Sequence, residues 1–258
     1  MSDTTIVFVF IPGLFLTMLL LLEVGRRIGL RRLAEETERE RVGLSTVEGA
    51  IYGLLGLLVA FTFYGAASRF EARRVLVLQE ANAIGTAYLR LDLLPVAAQP
   101  ALRQKFRRYT EARLAAYRDV SDLDASNAQI ARATVLQQDI WTGAVAALRE
   151  APPPATQLLL PALNEMIDIT TSRKIAAMTH TPSLILGALG MLALFCSVLA
   201  GYGLAGGRPF SMAIHMIGFA LVMTATTYVI LDLDHPRVGF IRVEFADQAM
   251  VDALAAMK

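Results

Sequence analysis

Charge is missing from four stretches of this chain. Thr4 to Leu22, Gly49 to Ser68, Thr181 to Gly207 and Pro209 to Leu231 contain no Asp, Glu, Lys or Arg. Each reaches the roughly 20 residues that a helix needs to cross the hydrocarbon core of a bilayer. A soluble core could hold one such helix, but four would leave little surface to face water. With 55% hydrophobic and only 18% charged residues, the composition excludes an ordinary soluble domain of this size. A single cysteine, Cys196, excludes an intrachain disulfide and leaves the redox compartment unread. It reads as a small apolar packing residue rather than a functional thiol.

Other chemistries are excluded in the same way. His180, His215 and His235 stand far apart and lack metal-ligand spacing, so no metal site is expected. Gly203 to Gly207 is not followed by the Lys-Ser/Thr of a phosphate loop, and no serine sits in a nucleophile elbow. No catalytic residue and no cofactor are expected. A net charge of +1 carries no nucleic-acid footprint, and there is neither a tandem repeat nor a low-complexity tract. No positive residue precedes the first apolar run, and Arg26 and Arg27 follow it where a leader would carry its cleavage site; it reads as a retained helix.

What is present reads as an all-α, polytopic membrane protein with four transmembrane helices, two plus two, and a helical extramembrane insert between the pairs. The divisions are 1–68 for the first pair with a charged link, 69–180 for the insert, 181–231 for the second pair and 232–258 for an extramembrane tail. The first helix is expected over about 5–22, loosened by Pro12 and Gly13, and the link over about 23–44. Helical periodicity predicts insert helices near 69–94, 101–120, 126–150 and 157–180. Pro95, Pro100, the Ser121 to Ser126 cluster and Pro152 to Pro154 mark the breaks.

The phase of the second helix is the most informative pattern. Gly49, Gly53, Gly56, Ala60, Phe63, Ala67, Phe70, Arg74, Val77, Ala81, Ile84, Tyr88 and Leu91 recur every third or fourth residue, and neither Pro nor Gly falls between Gly65 and Gly85. This predicts one continuous helix over about 47–93, roughly 70 Å long. Its membrane half presents small residues that let helices approach closely, and its aqueous half presents larger apolar ones, as a coiled-coil seam does. The stripe packs either on the same chain or around an oligomer axis. A polar line, Gln79, Asn82, Thr86 and Arg90, with Glu80 beside it, suggests a vestibule wall, a helix contact or an ordinary solvated face.

The run Glu80-Ala-Asn-Ala-Ile-Gly-Thr-Ala-Tyr-Leu-Arg-Leu-Asp-Leu-Leu-Pro95, preceded by Ser68-Arg-Phe-Glu-Ala-Arg-Arg74, resembles the bacterial bestrophin-like family of membrane proteins. The segment Leu231-Asp-Leu-Asp-His-Pro-Arg-Val-Gly-Phe-Ile-Arg242 is similar to that family's closing motif. The family's name rests on a distant similarity to bestrophins, pentameric anion channels whose second helix extends into the cytosol and lines the pore. The resemblance therefore implies a cyclic homo-oligomer in the cell (inner) membrane, with insert and termini in the cytoplasm. The acidic calcium-clasp run of animal bestrophins is not found, so calcium gating does not carry over. The basic residues flanking the spans are seven on each side, so the positive-inside rule decides nothing.

Two functions follow. One is an oligomeric ion channel, for anions first, with Gly53, Gly56, Ala60 and Phe63 lining it and Phe63 as a hydrophobic constriction. The other is a non-conducting scaffold or sensor whose helical insert binds a partner protein. His215, inside the fourth apolar run, is a candidate pH-sensitive group or a hydrogen-bonded structural one. Thr224, Thr226 and Thr227 are expected to bond back to their own helix carbonyls. Glu48 reads as an anion in the first turn of the second helix. Asp232 and Asp234 read as members of a structural ion-pair cluster, with a cation site as the rival.

Overall fold

A computed structural model describes residues 9–32, 37–118, 123–235 and 244–257. Among these residues all regular structure is helical: α1 Ile11–Arg32, α2 Glu38–Leu89, α3 Gln99–Arg118, α4 Leu123–Leu148, α5 Pro153–Met178, α6 Ser183–Gly203, α7 Pro209–Asp234 and α8 Glu244–Ala256. A 3-10 turn, Arg90–Leu93, continues α2. Val42–Leu93, Pro153–Gly203 and Pro209–Asp234 each contain a stretch long and apolar enough to cross a membrane. The chain is an integral membrane protein. The opening of the first apolar run, residues 1–8, lies outside the described residues.

The chain divides into two compact units, Met1–Ser68 with His180–His235, and Arg69–Thr179 with Pro236–Lys258. In the first, α1 packs on α6 and α7, and α6 also meets α7. Glycine makes the α1–α6 contact possible. A Cβ at Gly25 would stand 1.9 Å from the Val198 carbonyl oxygen, and one at Gly201 would stand 1.9 Å from that of Leu22. Backbone therefore meets backbone, the close approach that small residues permit between helices in lipid. In the second unit, α3 packs on α4 and α8, α4 on α5, and α5 on the 3-10 turn. Ile84, Leu91, Phe106, Ile140, Leu159 and Met166 are fully buried there, each contributing about 1.5–3 kcal/mol.

Several helix boundaries differ from the sequence expectation. α1 runs on to Arg32, because Glu23 pairs with Arg26 at 2.7 Å and with Arg27 at 2.8 Å, the i,i+3 and i,i+4 spacings that support a helix in water. Pro12 and Gly13 stand at the start of its α-helical part, directly after π-helical residues 9 and 10. α2 begins at Glu38, so the link is far shorter than residues 23–44. Glu48 lies ten residues inside α2 and not in its first turn; its Oε2 stands 3.5 Å from the Cβ position of Gly203.

The continuity of α2 is as expected, an α-helix of 52 residues. Its stripe does not keep to one face. A 3.5-residue repeat drifts about 20° per heptad on a straight α-helix, and Gly49 to Leu91 spans six heptads, about 120° of rotation. Accordingly Gly49, Gly53, Gly56, Ala60 and Phe63 are exposed within the chain. Val77, Ala81, Ile84, Tyr88 and Leu91 are buried in the core of the second unit.

Candidate functional site

The membrane half of α2 presents the first candidate surface. A Cβ at Gly49, Gly53 or Gly56 would meet nothing within 4 Å. Phe63 is 43% exposed, while Leu55, Thr62 and Ala66, about 60–100° around the helix from it, are buried. Phe61, 65% exposed, stands about 200° around the helix from Phe63. The polar line belongs with Phe61 and not with Phe63. Gln79, Asn82 and Thr86 each follow Phe61, Tyr64 and Ser68 by 18 residues, five turns of helix. Gln79 and Asn82 are exposed and Thr86 is half-buried. Arg90 turns from this line to donate from Nη1 to the Leu158 carbonyl of α5.

Glu80 leaves the polar line altogether. It is fully buried, so it lines no vestibule. Arg113 of α3 donates to it from Nε at 2.6 Å and from Nη2 at 3.1 Å, and Arg173 of α5 donates from Nη1. Tyr117 completes the cluster. Its hydroxyl accepts from Arg113 Nη2 at 3.0 Å, and its ring lies 3.9 Å below the Arg173 guanidinium carbon, a cation–π contact. Burial pushes the Glu80 carboxyl up, but Arg173 and Arg113 outweigh it and hold the group below the usual carboxylate range. Nearby, Arg73 donates to the carbonyls of Ala176 at 3.0 Å and Thr179 at 2.7 Å. A cation thus satisfies the C-terminal end of α5. The end of the motif is packed too: Tyr88 meets Phe106 edge-on at 5.9 Å, and Asp92 pairs with Arg103. Residues 69–95 are therefore anchors that fix α2 against the rest of the second unit.

The closing motif is also built into packing. Asp232 and Asp234 are both buried. Tyr228 donates to Asp232 Oδ1 at 3.4 Å, and the Thr181 backbone N–H donates to Asp234 Oδ2 at 2.8 Å. Arg237 and Arg242, which follow them in the motif, lie outside the described residues. Beside Asp234, the rings of His180 and His235 stack with centroids 4.7 Å apart. Sequence reading missed this pairing, because only the tertiary fold brings the start of α6 to the end of α7. His215 stands elsewhere, exposed on α7, with Nδ1 2.7 Å from the Ser211 carbonyl. Thr226 and Thr227 donate to the carbonyls of Val222 and Met223 as expected. Thr224 differs, its hydroxyl lying 3.8 Å from Met18 Sδ across to α1.

The architecture has known counterparts. A point variant of a bacterial bestrophin homolog from Klebsiella pneumoniae aligns with a TM-score of 0.65 at 15% identity, over 92% of this chain and 98% of that one. A second variant of that homolog aligns with a TM-score of 0.66 at 13% identity, over 94% and 98%. At such identities the likeness defines the fold, and the class is that of helical membrane proteins with the bestrophin architecture. A model of the Bestrophin-like domain matches residues 13–247. The chain belongs to the Bestrophin-like family. No match was found among curated proteins.

Proposed function

We propose that copies of this chain assemble around a common axis as a pore for small ions, anions first, with α2 nearest the axis. The observation that carries this reading is the exposed line Gly53, Gly56, Ala60 and Phe63. It lies on a helix that runs unbroken from Glu38 to Leu89, and a Cβ added at either of its glycines would meet no neighbouring atom of the described residues within 4 Å. Small side chains leave room beside an axis, and one aromatic at the end of the line narrows it, as hydrophobic constrictions do in channels. A ring is the closed assembly that one long helix per subunit produces. Membership of the Bestrophin-like family supports the same reading.

In this arrangement α1, the membrane half of α2, α6 and α7 form four spans of the cell (inner) membrane, with the second unit and the termini in the cytoplasm. Gln79, Asn82 and Thr86 occupy another side of α2 from Phe63, so we assign them to the contact between neighbouring copies. No residue is given a catalytic role.

Phe61 and Phe63 make the test internally controlled, because they share a helix and differ in direction. Purified protein in planar bilayers is expected to show unitary currents, larger for chloride than for sodium. Phe63→Ala is expected to enlarge them several-fold, whereas Phe61→Ala leaves them within a factor of two. Silence of a well-folded oligomer towards anions and cations alike rejects the pore. A stoichiometric foreign protein recovered with such a silent oligomer supports the scaffold reading in its place.

A further inference from the structure

His180, Asp234 and His235 make up a cluster that the pore does not use. All three belong to the first unit. His180 lies just ahead of α6 and Asp234 ends α7, 54 positions further along the chain. One ligand-capable atom from each lies within 4.8 Å of the others. The side chain of His180 is 41% exposed while that of Asp234 is 1% exposed, so the group has a fixed acidic floor and a solvent-facing edge.

The hydrogen bonds set the chemistry of both rings. His180 Nδ1 lies 3.1 Å from the Asp234 carbonyl oxygen, and His235 Nδ1 lies 3.1 Å from that of Leu231. A carbonyl only accepts, so each Nδ1 carries the proton, and in the neutral ring the lone pair resides on Nε2. An imidazole whose other nitrogen donates to a backbone carbonyl is the oriented, basic form that metal ligands adopt. The rings are nearly parallel, 11° apart. The Asp234 carboxylate, oriented by the Thr181 N–H, adds one anionic oxygen.

We propose that His180, Asp234 and His235 bind a first-row transition-metal dication, with zinc as the reference ion. Two imidazole nitrogens and one carboxylate oxygen match the donor preference of zinc, cobalt and nickel, whereas calcium and magnesium need more oxygen ligands. A tetrahedral ion with bonds of about 2 Å holds its ligand atoms about 3.3 Å apart. The ligand atoms of the triad, within 4.8 Å of one another, must therefore draw together around the ion, and rotation of the half-exposed His180 is the movement that brings its ring in. The fourth position is left to water. The bound ion would clip the start of α6 to the end of α7, adding a tie to the backbone bond that Thr181 already makes.

The site stands whether or not the chain conducts, and its test reads binding alone. Full-length protein stripped with EDTA and held in detergent is titrated with zinc by calorimetry and with cobalt by visible absorption. About one ion per chain is expected, with the intense d–d bands of low-coordinate cobalt. His180→Ala and His235→Ala should each weaken zinc binding at least about tenfold, and His215→Ala should not. Absence of stoichiometric binding, or equal binding by the wild type and both variants, overturns the site. Zinc should also shield His180 and His235 of the unmutated protein from diethyl pyrocarbonate, read by mass spectrometry. Equal modification with and without zinc contradicts the proposal independently of how any variant folds.

Discussion

Replacing Glu80 by glutamine should destabilise the second unit more than any single surface change. Glu80 is fully buried, and Arg113 and Arg173 are 4% and 6% exposed. One carboxylate thus serves two guanidiniums that water barely reaches. Glutamine keeps the volume but removes the charge, leaving two buried cations uncompensated. Breaking a buried pair in this way costs about 3–5 kcal/mol, a drop in Tm of about 10 °C for a chain of this size. The assay is supplied by the protein itself, whose only tryptophan, Trp141, lies partly buried against the core of this unit. Its fluorescence during thermal unfolding in detergent reports that core directly. Glu71→Gln is the control. Its partner Arg74 is 3.4 Å away with both side chains about half exposed, so a change within about 0.5 kcal/mol is expected. If Glu80→Gln stayed within 1 kcal/mol of the wild type, the cluster would not be the anchor described above.

The same carboxylate sets a pH dependence. Its folded pKa is depressed by Arg173 and Arg113 against the pull of burial, so its stabilisation is complete above the unfolded value of about 4.3 and fades as pH falls further. The Tm read from Trp141 should therefore decline below about pH 4.3, with a shallower decline in Glu80→Gln. Gly25→Ala and Gly201→Ala should each cost about 3 kcal/mol or more, because the added methyl meets backbone at 1.9 Å. Size-exclusion yield and Tm check this, and near-wild-type values would refute the close contact of α1 and α6. Gly53→Ala and Gly56→Ala meet nothing in their own chain and should leave the Tm of dissociated chains unchanged while altering current or assembly. Arg73→Ala removes two hydrogen bonds from a charged donor to the end of α5 and should cost about 2 kcal/mol or more. Hydrogen exchange near Met178 should rise with it.

The two signature motifs show how far residues alone can be read. The unbroken α2 was legible because neither Pro nor Gly interrupts residues 66–84. Its start was not, since hydropathy marks where lipid ends and not where a helix ends. The charged residues from Glu38 onward, like those following Leu22 in α1, continue a helix in water. The line from Gly49 to Leu91 looked like one face because its period is 3.5, and a straight helix turns it from the exposed side to the buried one. Local sequence sets Glu80 beside a polar line and shows nothing of its burial, which depends on arginines 33 and 93 residues away. His180 and His235 were set apart for the same reason, and no local spacing rule brings them together.

The central claim concerns which helix stands nearest the axis of the assembly. A single-particle map of the detergent-solubilised oligomer tests it most directly. A ring with a central hole bordered by the Gly53, Gly56, Ala60 and Phe63 side of α2 is the predicted result. Isolated monomers, or a ring whose hole is bordered by α1, α6 or α7, would contradict it.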